Sequence, residues 1–242
     1  MVQRFKFYKK SGDLMSEWDK VWKSLKLPWK LNLENYYDWR YYIDLEPYLK
    51  EGKGKKILEV GCAPGRFMEF FRRFGFDVYG VEITESGIKA TVANLKLLGV
   101  RDFDIIRGDA NALPFGDSSF DIVFNAGLIE HFEDPMPLLE EFKRVLKDCG
   151  LLITYVPNLA YPNLRRLERL VRGSVEDWHR PLKLNDLISY YDVLGLEVLE
   201  TRYSGLCIIV GYRFLPKIKI LNKLINFFTG ADIFIVGKKL YV

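Results

Sequence analysis

The sequence predicts an α/β protein: a doubly wound, mostly parallel sheet of seven strands with a helical cap. Three observations predict it. From Lys55 onward, short apolar runs alternate with segments of helical periodicity. The first run ends in a turn of small residues, Gly61-Cys62-Ala63-Pro64-Gly65, that opens a helix. Ahead of it, 12 of the 36 aromatic residues crowd into the first 50 positions, and the stretch from Tyr36 to Tyr42 is more aromatic than one packing stripe needs.

Met15, Trp18, Val21, Trp22 and Leu25 recur at helical spacing, so 13–25 reads as an amphipathic helix, and a second helix covers 34–48. Gly52-Lys53-Gly54 punctuates the chain there, which divides an N-terminal helical cap, 1–52, from a domain over 53–242. In that domain Ile57–Val60, Val78–Val81, Phe103–Ile106, Phe120–Phe124 and Leu151–Val156 read as buried strands. Helices at 66–74, 85–98 and 137–146 lie between them. Farther on, a helix capped at Asn185 or Asp186 ends at Gly195, and strands follow at Glu197–Tyr203 and Ile233–Lys239. Polar residues 158–181 and residues 205–230 read as insertions that join the cap. Within the second, a cationic amphipathic helix near 217–228 admits a membrane-surface reading, though such a face is more often core.

Composition narrows the function classes. A chain of 242 residues buries roughly 70–75% of its unfolded surface and needs no metal or disulfide staple. The three cysteines, Cys62, Cys149 and Cys207, are scattered, which argues against a zinc site or disulfide framework and for a reducing, cytoplasmic setting. The N-terminus has no apolar leader core and no run of 18 apolar residues occurs. A net charge of +4 is too slight to argue for nucleic acid by itself.

The glycine bend is the informative motif. Small residues after a buried strand let the backbone pass close to a ligand, and the helix that follows offers free N–H groups. The dinucleotide fingerprint would need a small residue at 66, where Arg66 stands. A plain tight turn between strand and helix stays open on this motif alone. Glu82, ending the second strand, is placed to accept both hydroxyls of a ribose. Asp109, after the third strand, is placed to accept from an exocyclic amine.

Taken together, Glu59-x-Gly61-x-Ala63-x-Gly65, Glu82, Asp109-Ala110 and Phe120-Asp121-Ile122-Val123 resemble the class I S-adenosylmethionine-dependent methyltransferases over residues 55–156. With Leu128-Ile129-Glu130-His131 after the fourth strand, the chain resembles their small-molecule branch, typified by ubiquinone and menaquinone biosynthesis methyltransferases. Ala63-Pro64 departs from it where many members carry a second glycine. The resemblance implies strand order 3-2-1-4-5-7-6 with the seventh strand antiparallel. It also implies S-adenosyl-L-methionine as cofactor. Gly61, Cys62, Ala63 and Gly65 would border its methionine part, with Glu59 orienting the loop. Glu82 would hold the ribose, and Ile83, Asp109 and Ala110 the adenine. Asn125 and Ala126 would floor the sulfonium end, and Arg40 would pair with the cofactor carboxylate or else lie solvated.

His131, at the site mouth, and His179 are the candidate bases, with Glu130 orienting His131 or simply solvated. The expected acceptor is a small, apolar or ring-bearing molecule methylated at oxygen or carbon, bound beneath Trp18, Trp22, Tyr36, Tyr37 and Trp178. Ordinary helix packing is the competing reading of those aromatics. An RNA methyltransferase is the first alternative. Against it stand the absence of paired prolines after the fourth strand, of a pyrimidine-attacking cysteine, of a lysine after the fifth strand and of a strong basic block. A non-catalytic cofactor-binding regulator is the second.

Overall fold

A computed structural model describes residues 14–34, 36–158, 180–206 and 230–241. Most of both expected insertions, including Trp178, His179 and the helix near 217–228, lies outside these residues.

Seven strands form one sheet in the order β3-β2-β1-β4-β5-β7-β6. They are β1 (Lys56–Val60), β2 (Asp77–Glu82), β3 (Asp104–Arg107), β4 (Phe120–Ala126), β5 (Leu146–Pro157), β6 (Leu196–Leu206) and β7 (Gly230–Lys239). β1 to β5 pair in parallel, and β7 runs antiparallel to both neighbours. Ile57, Leu58, Val60, Ile122, Val123 and Phe124 are all buried, as strands covered on both faces require. Because β1, β2, β3 and β4 point the same way, Gly61, Glu82, Gly108 and Ala126 arrive at one edge of the sheet.

The helices are α1 (Leu14–Ser24), α2 (Tyr36–Leu49), α3 (Arg66–Arg73), α4 (Glu85–Leu97), α5 (Met136–Val145) and α6 (Leu184–Val193). α3 turns Phe67, Met68, Phe70 and Phe71 inward, and α5 buries Leu138, Leu139, Phe142 and Val145 on the opposite face. Each such side chain contributes about 1.5–3 kcal/mol. Thr84 caps α4, its Oγ1 accepting from the Gly87 N–H at 3.1 Å. In α6 the cap position is Lys183 rather than Asn185 or Asp186. Asp186 sits in the first turn and accepts from the Lys183 N–H at 2.8 Å, because its carboxylate reaches back over the turn.

α2 is built into the sheet domain. Tyr41, Leu45 and Leu49 share one apolar cluster with Ile57, Phe67 and Phe71. Asp121, part of the fourth-strand motif, lies at the opposite end of β4 from the cleft. It accepts from the Lys56 N–H at 2.9 Å and from Lys147 Nζ at 2.8 Å, tying β1 to β4 and β5. Among the described residues no helix is long and apolar enough to cross a membrane, and no cluster of side chains could hold a metal ion.

Candidate functional site

The bend after β1 is held from three sides. The N–H groups of Gly61 and Cys62 donate to the Val81 carbonyl at 2.9 and 3.1 Å, and Gly65 N–H closes the turn on Cys62 O at 2.6 Å. Asn94, fully buried on α4, donates to Pro64 O at 2.8 Å and exchanges bonds with the Trp29 backbone. Gly61 has φ +73°, and a Cβ there would meet Leu128 at 3.3 Å. Gly65 has φ +84°, and its Cβ would meet Thr91 at 2.7 Å.

Beside this bend lies a cleft of about 840 Å³ that opens to solvent. Val60, Gly61 and Ala63 form one wall, and Val81, Glu82 and Ile83 the next. Gly108, Asp109 and Ala110 follow, then Ala126, Gly127 and Leu128. Met15, Trp18 and Trp22 from α1 also line it, with His131 and Phe132. Trp18 stacks on Trp22 at 5.1 Å and meets the His131 ring edge-on at 5.5 Å. The aromatic cap therefore shares the cleft that the glycine bend opens.

Electrostatics sort the acids. Glu82 is 6% exposed, and burial raises its pKa. Thr84 counters this, with N–H and Oγ1 donating to Oε1 at 2.9 and 2.8 Å, and the Ala63 N–H also acts on the carboxylate. Asp109 accepts from the Asn111 N–H at 2.8 Å and Nδ2 at 3.2 Å, both on Oδ1. Glu59 is buried beneath the bend and lines no wall. Burial pushes its pKa well up, while Arg66 and the Met68 N–H in the first turn of α3 pull it back. Burial likewise keeps the Cys62 thiol protonated, so it is no nucleophile.

Six expected residues, Glu59 and Glu130 among them, stand elsewhere than on the cleft wall. Cys62 and Gly65 shape the bend from below; a Cβ on Gly80 would strike Cys62 Sγ at 2.7 Å. Asn125 is 0% exposed and donates to Thr154 Oγ1 at 2.8 Å, since strand alternation turns it away from the side Ala126 faces. Arg40 is neither solvated nor on this wall. It is 2% exposed and paired with Asp232, and its guanidinium also donates to Tyr41 OH at 2.8 Å and Ser204 O at 3.3 Å.

Glu130 is 1% exposed, and neither carboxyl oxygen has a hydrogen-bond partner among the described residues. Burial, with a contribution from the Asp232 charge, lifts its pKa to about 8. The carboxyl lies behind Gly127, where a Cβ would meet Oε1 at 3.6 Å. Thr84 and Asn94 also hold the site and belong to none of its motifs. Thr84, between a strand-ending acid and a helical run, carried a capping signal; Asn94 carried none, because its partners are 30 and 65 residues away.

Glycine bend, paired acids and apolar walls at the carboxyl edge of a doubly wound sheet define a nucleoside-cofactor domain. Residues 58–154 match the methyltransferase domain model. An uncharacterized protein of Haemophilus influenzae is 35% identical over 155 residues, covering 62% of this chain and 61% of that protein. The ubiquinone biosynthesis O-methyltransferase of Dinoroseobacter shibae is 26% identical over 157 residues, 62% of this chain and 63% of that protein. The chain thus spans less than two thirds of these relatives' length. Among solved structures, a SAM-dependent methyltransferase from Aquifex aeolicus superposes with TM-score 0.61 at 15% identity, covering 92% of this chain and 98% of that one. A chain from the complex between the Haloferax volcanii Trm112 methyltransferase activator and a methyltransferase gives TM-score 0.65 at 18% identity, covering 94% and 96%. Residues 58–154 are thus similar to a methyltransferase domain, and the fold is the one that the S-adenosylmethionine-dependent methyltransferase structure shares; S-adenosylmethionine is the cofactor this likeness calls for.

The residues present fit that group. Glu82 offers a buried carboxylate for a ribose diol, Asp109 an acceptor for an adenine amine, and Gly61 a cradle that a side chain would fill.

Proposed function

We propose that the protein methylates a small, apolar or ring-bearing acceptor at oxygen or carbon. One observation carries the reading: a single cleft joins the acids and glycines of the nucleoside end to Trp18, Trp22, Leu128, Phe132 and His131. The O-methyltransferase named among the relatives supports oxygen.

The bound cofactor supplies an electrophilic methyl on a sulfonium, so the chain's work is alignment and exclusion of water. Glu82 and Asp109 hold the nucleoside, and the backbone at Gly61, Ala63 and Gly127 borders the methionine part. Trp18 and Trp22 close the cleft against solvent. His131, 3% exposed on the cleft wall, accepts the hydroxyl proton of the acceptor as the new bond to carbon forms. Glu130 holds its proton at neutral pH and serves as a neutral carboxylic acid under the Gly127 bend.

The test is transfer of labelled methyl from S-adenosylmethionine to a panel of phenols and quinols, with transfer RNA in parallel. Label in the organic-soluble fraction supports the reading. Label in RNA overturns it in favour of the nucleic-acid alternative, and tight cofactor binding without any transfer favours a regulator.

A further inference from the structure

Trp22 carries a polar group that the cleft leaves unused. The ring is half-buried on α1 and lines the cleft. It stacks on Trp18, with centroids 5.1 Å apart and planes 15° apart. Stacking of this kind uses the face of an indole and leaves its N–H at the edge. Trp22 Nε1 is shut off from solvent, yet it has no hydrogen-bond partner among the described residues. A buried indole N–H ordinarily finds an acceptor, and leaving it without one costs about 1–3 kcal/mol. The acids of the cleft wall are served by other donors, Glu82 by Thr84 and Asp109 by Asn111. Met15, Leu128 and Phe132 offer no side-chain acceptor there. His131 stands on the same wall, where its ring meets Trp18 edge-on at 5.5 Å. In the proposed reaction His131 receives the proton of the reacting hydroxyl, so the indole N–H is left for a different oxygen.

We infer that Trp22 donates its indole N–H to a second oxygen of the methyl acceptor, so that the cleft selects a ring bearing a hydrogen-bond acceptor besides the hydroxyl that is methylated. The assignment rests on the proposed transfer to a ring-bearing hydroxyl compound. The probes are 2-, 3- and 4-methoxyphenol, each paired with the ethylphenol of the same substitution, which exchanges the ether oxygen for a methylene of similar shape. Transfer of labelled methyl from S-adenosylmethionine by the full chain gives kcat/KM for each probe. Wild type should favour the methoxy member of at least one pair about five- to tenfold, because a buried donor penalises a ligand that lacks the acceptor. Trp22→Phe keeps a ring against Trp18 and removes the N–H. Whatever it does to transfer overall, it should abolish that preference. The intrinsic reactivity of the two phenols is common to both proteins, so the change in preference isolates the N–H. Wild type without a preference in any pair overturns the assignment, and this arm needs no variant to fold. A Trp22→Phe protein that keeps the preference also overturns it, and a loss of S-adenosylhomocysteine affinity in that variant then gives the donor to the cofactor. Transfer to none of the six phenols overturns the proposed acceptor class and this assignment with it.

Discussion

Glu82 and Glu130 are both acids taken out of water, and their neighbours give them opposite tasks. Glu82 has donors from Thr84 and Ala63, which favour its charged form against burial. Those donors keep it an acceptor for the ribose diol of the proposed cofactor, and Glu82→Ala should weaken S-adenosylhomocysteine by about 1.5–3 kcal/mol in a binding titration. Glu130 has no such donors, so its folded pKa of about 8 stands above the ordinary 4.5. Between those values the folded protein holds a proton that the unfolded chain has released. Its contribution to stability is therefore complete below pH 4.5 and is lost as pH rises to 8, at up to about 1.4 kcal/mol per pH unit. Glu59 and Glu82 are shifted the same way, so the comparison must be with Glu130→Gln. Urea unfolding at several pH values should give that variant a flatter slope than wild type; equal slopes would place the proton elsewhere. His131→Ala should lower kcat about 10²–10⁴-fold without altering S-adenosylhomocysteine affinity. Glu82 was legible in the sequence because a strand end fixes where its side chain goes. The raised pKa of Glu130 was not, because it depends on burial behind the bend at Gly127 and on the charge of Asp232, about a hundred residues away.

At the scale of elements, the central strands lay where the apolar runs put them, within one or two residues. A parallel strand buried on both faces must be continuously apolar, so its ends show in the sequence. β5 was less legible. It begins at Leu146 rather than Leu151, because Leu146 pairs with Phe120 across an irregular register that only the folded sheet reveals. α1 was legible as a helix from its stripe, but not in its destination. Its tryptophans were expected over an acceptor, and they line the walls around Glu82 and Asp109 as well. Removing the cap therefore touches the cofactor, not the acceptor alone. The Trp18→Ala, Trp22→Ala double variant should weaken S-adenosylhomocysteine several-fold, by loss of about 1–3 kcal/mol of aromatic contact. In wild type, titration with the same compound should change tryptophan emission. Unaltered affinity in the double variant would make the stacked pair a packing feature only.

For the molecule as a whole, two ties hold α2 to the far side of the sheet. The apolar cluster of α2 with β1 and α3 is one tie. A polar seam to the β6–β7 hairpin is the other. Arg40 pairs with Asp232, and Asp44 accepts from Ser204 Oγ and, at 2.6 Å, from Arg202. Tyr48 OH donates to Glu200 at 2.7 Å. None of this could be read locally, since the partners lie 152 to 192 residues apart. Taking both charges of Arg40 and Asp232 out of water is costly, and their attraction repays it only while both are present. Asp232→Ala should then destabilise the fold by about 3–5 kcal/mol, whereas the double variant Arg40→Met, Asp232→Leu should lose far less, because no charge is left buried without its carboxylate. Urea denaturation of the two single variants and the double variant measures the coupling. Additive losses would mean that the seam holds by packing alone. A double variant close to wild type would mean that the pair fixes where α2 docks more than how tightly it docks.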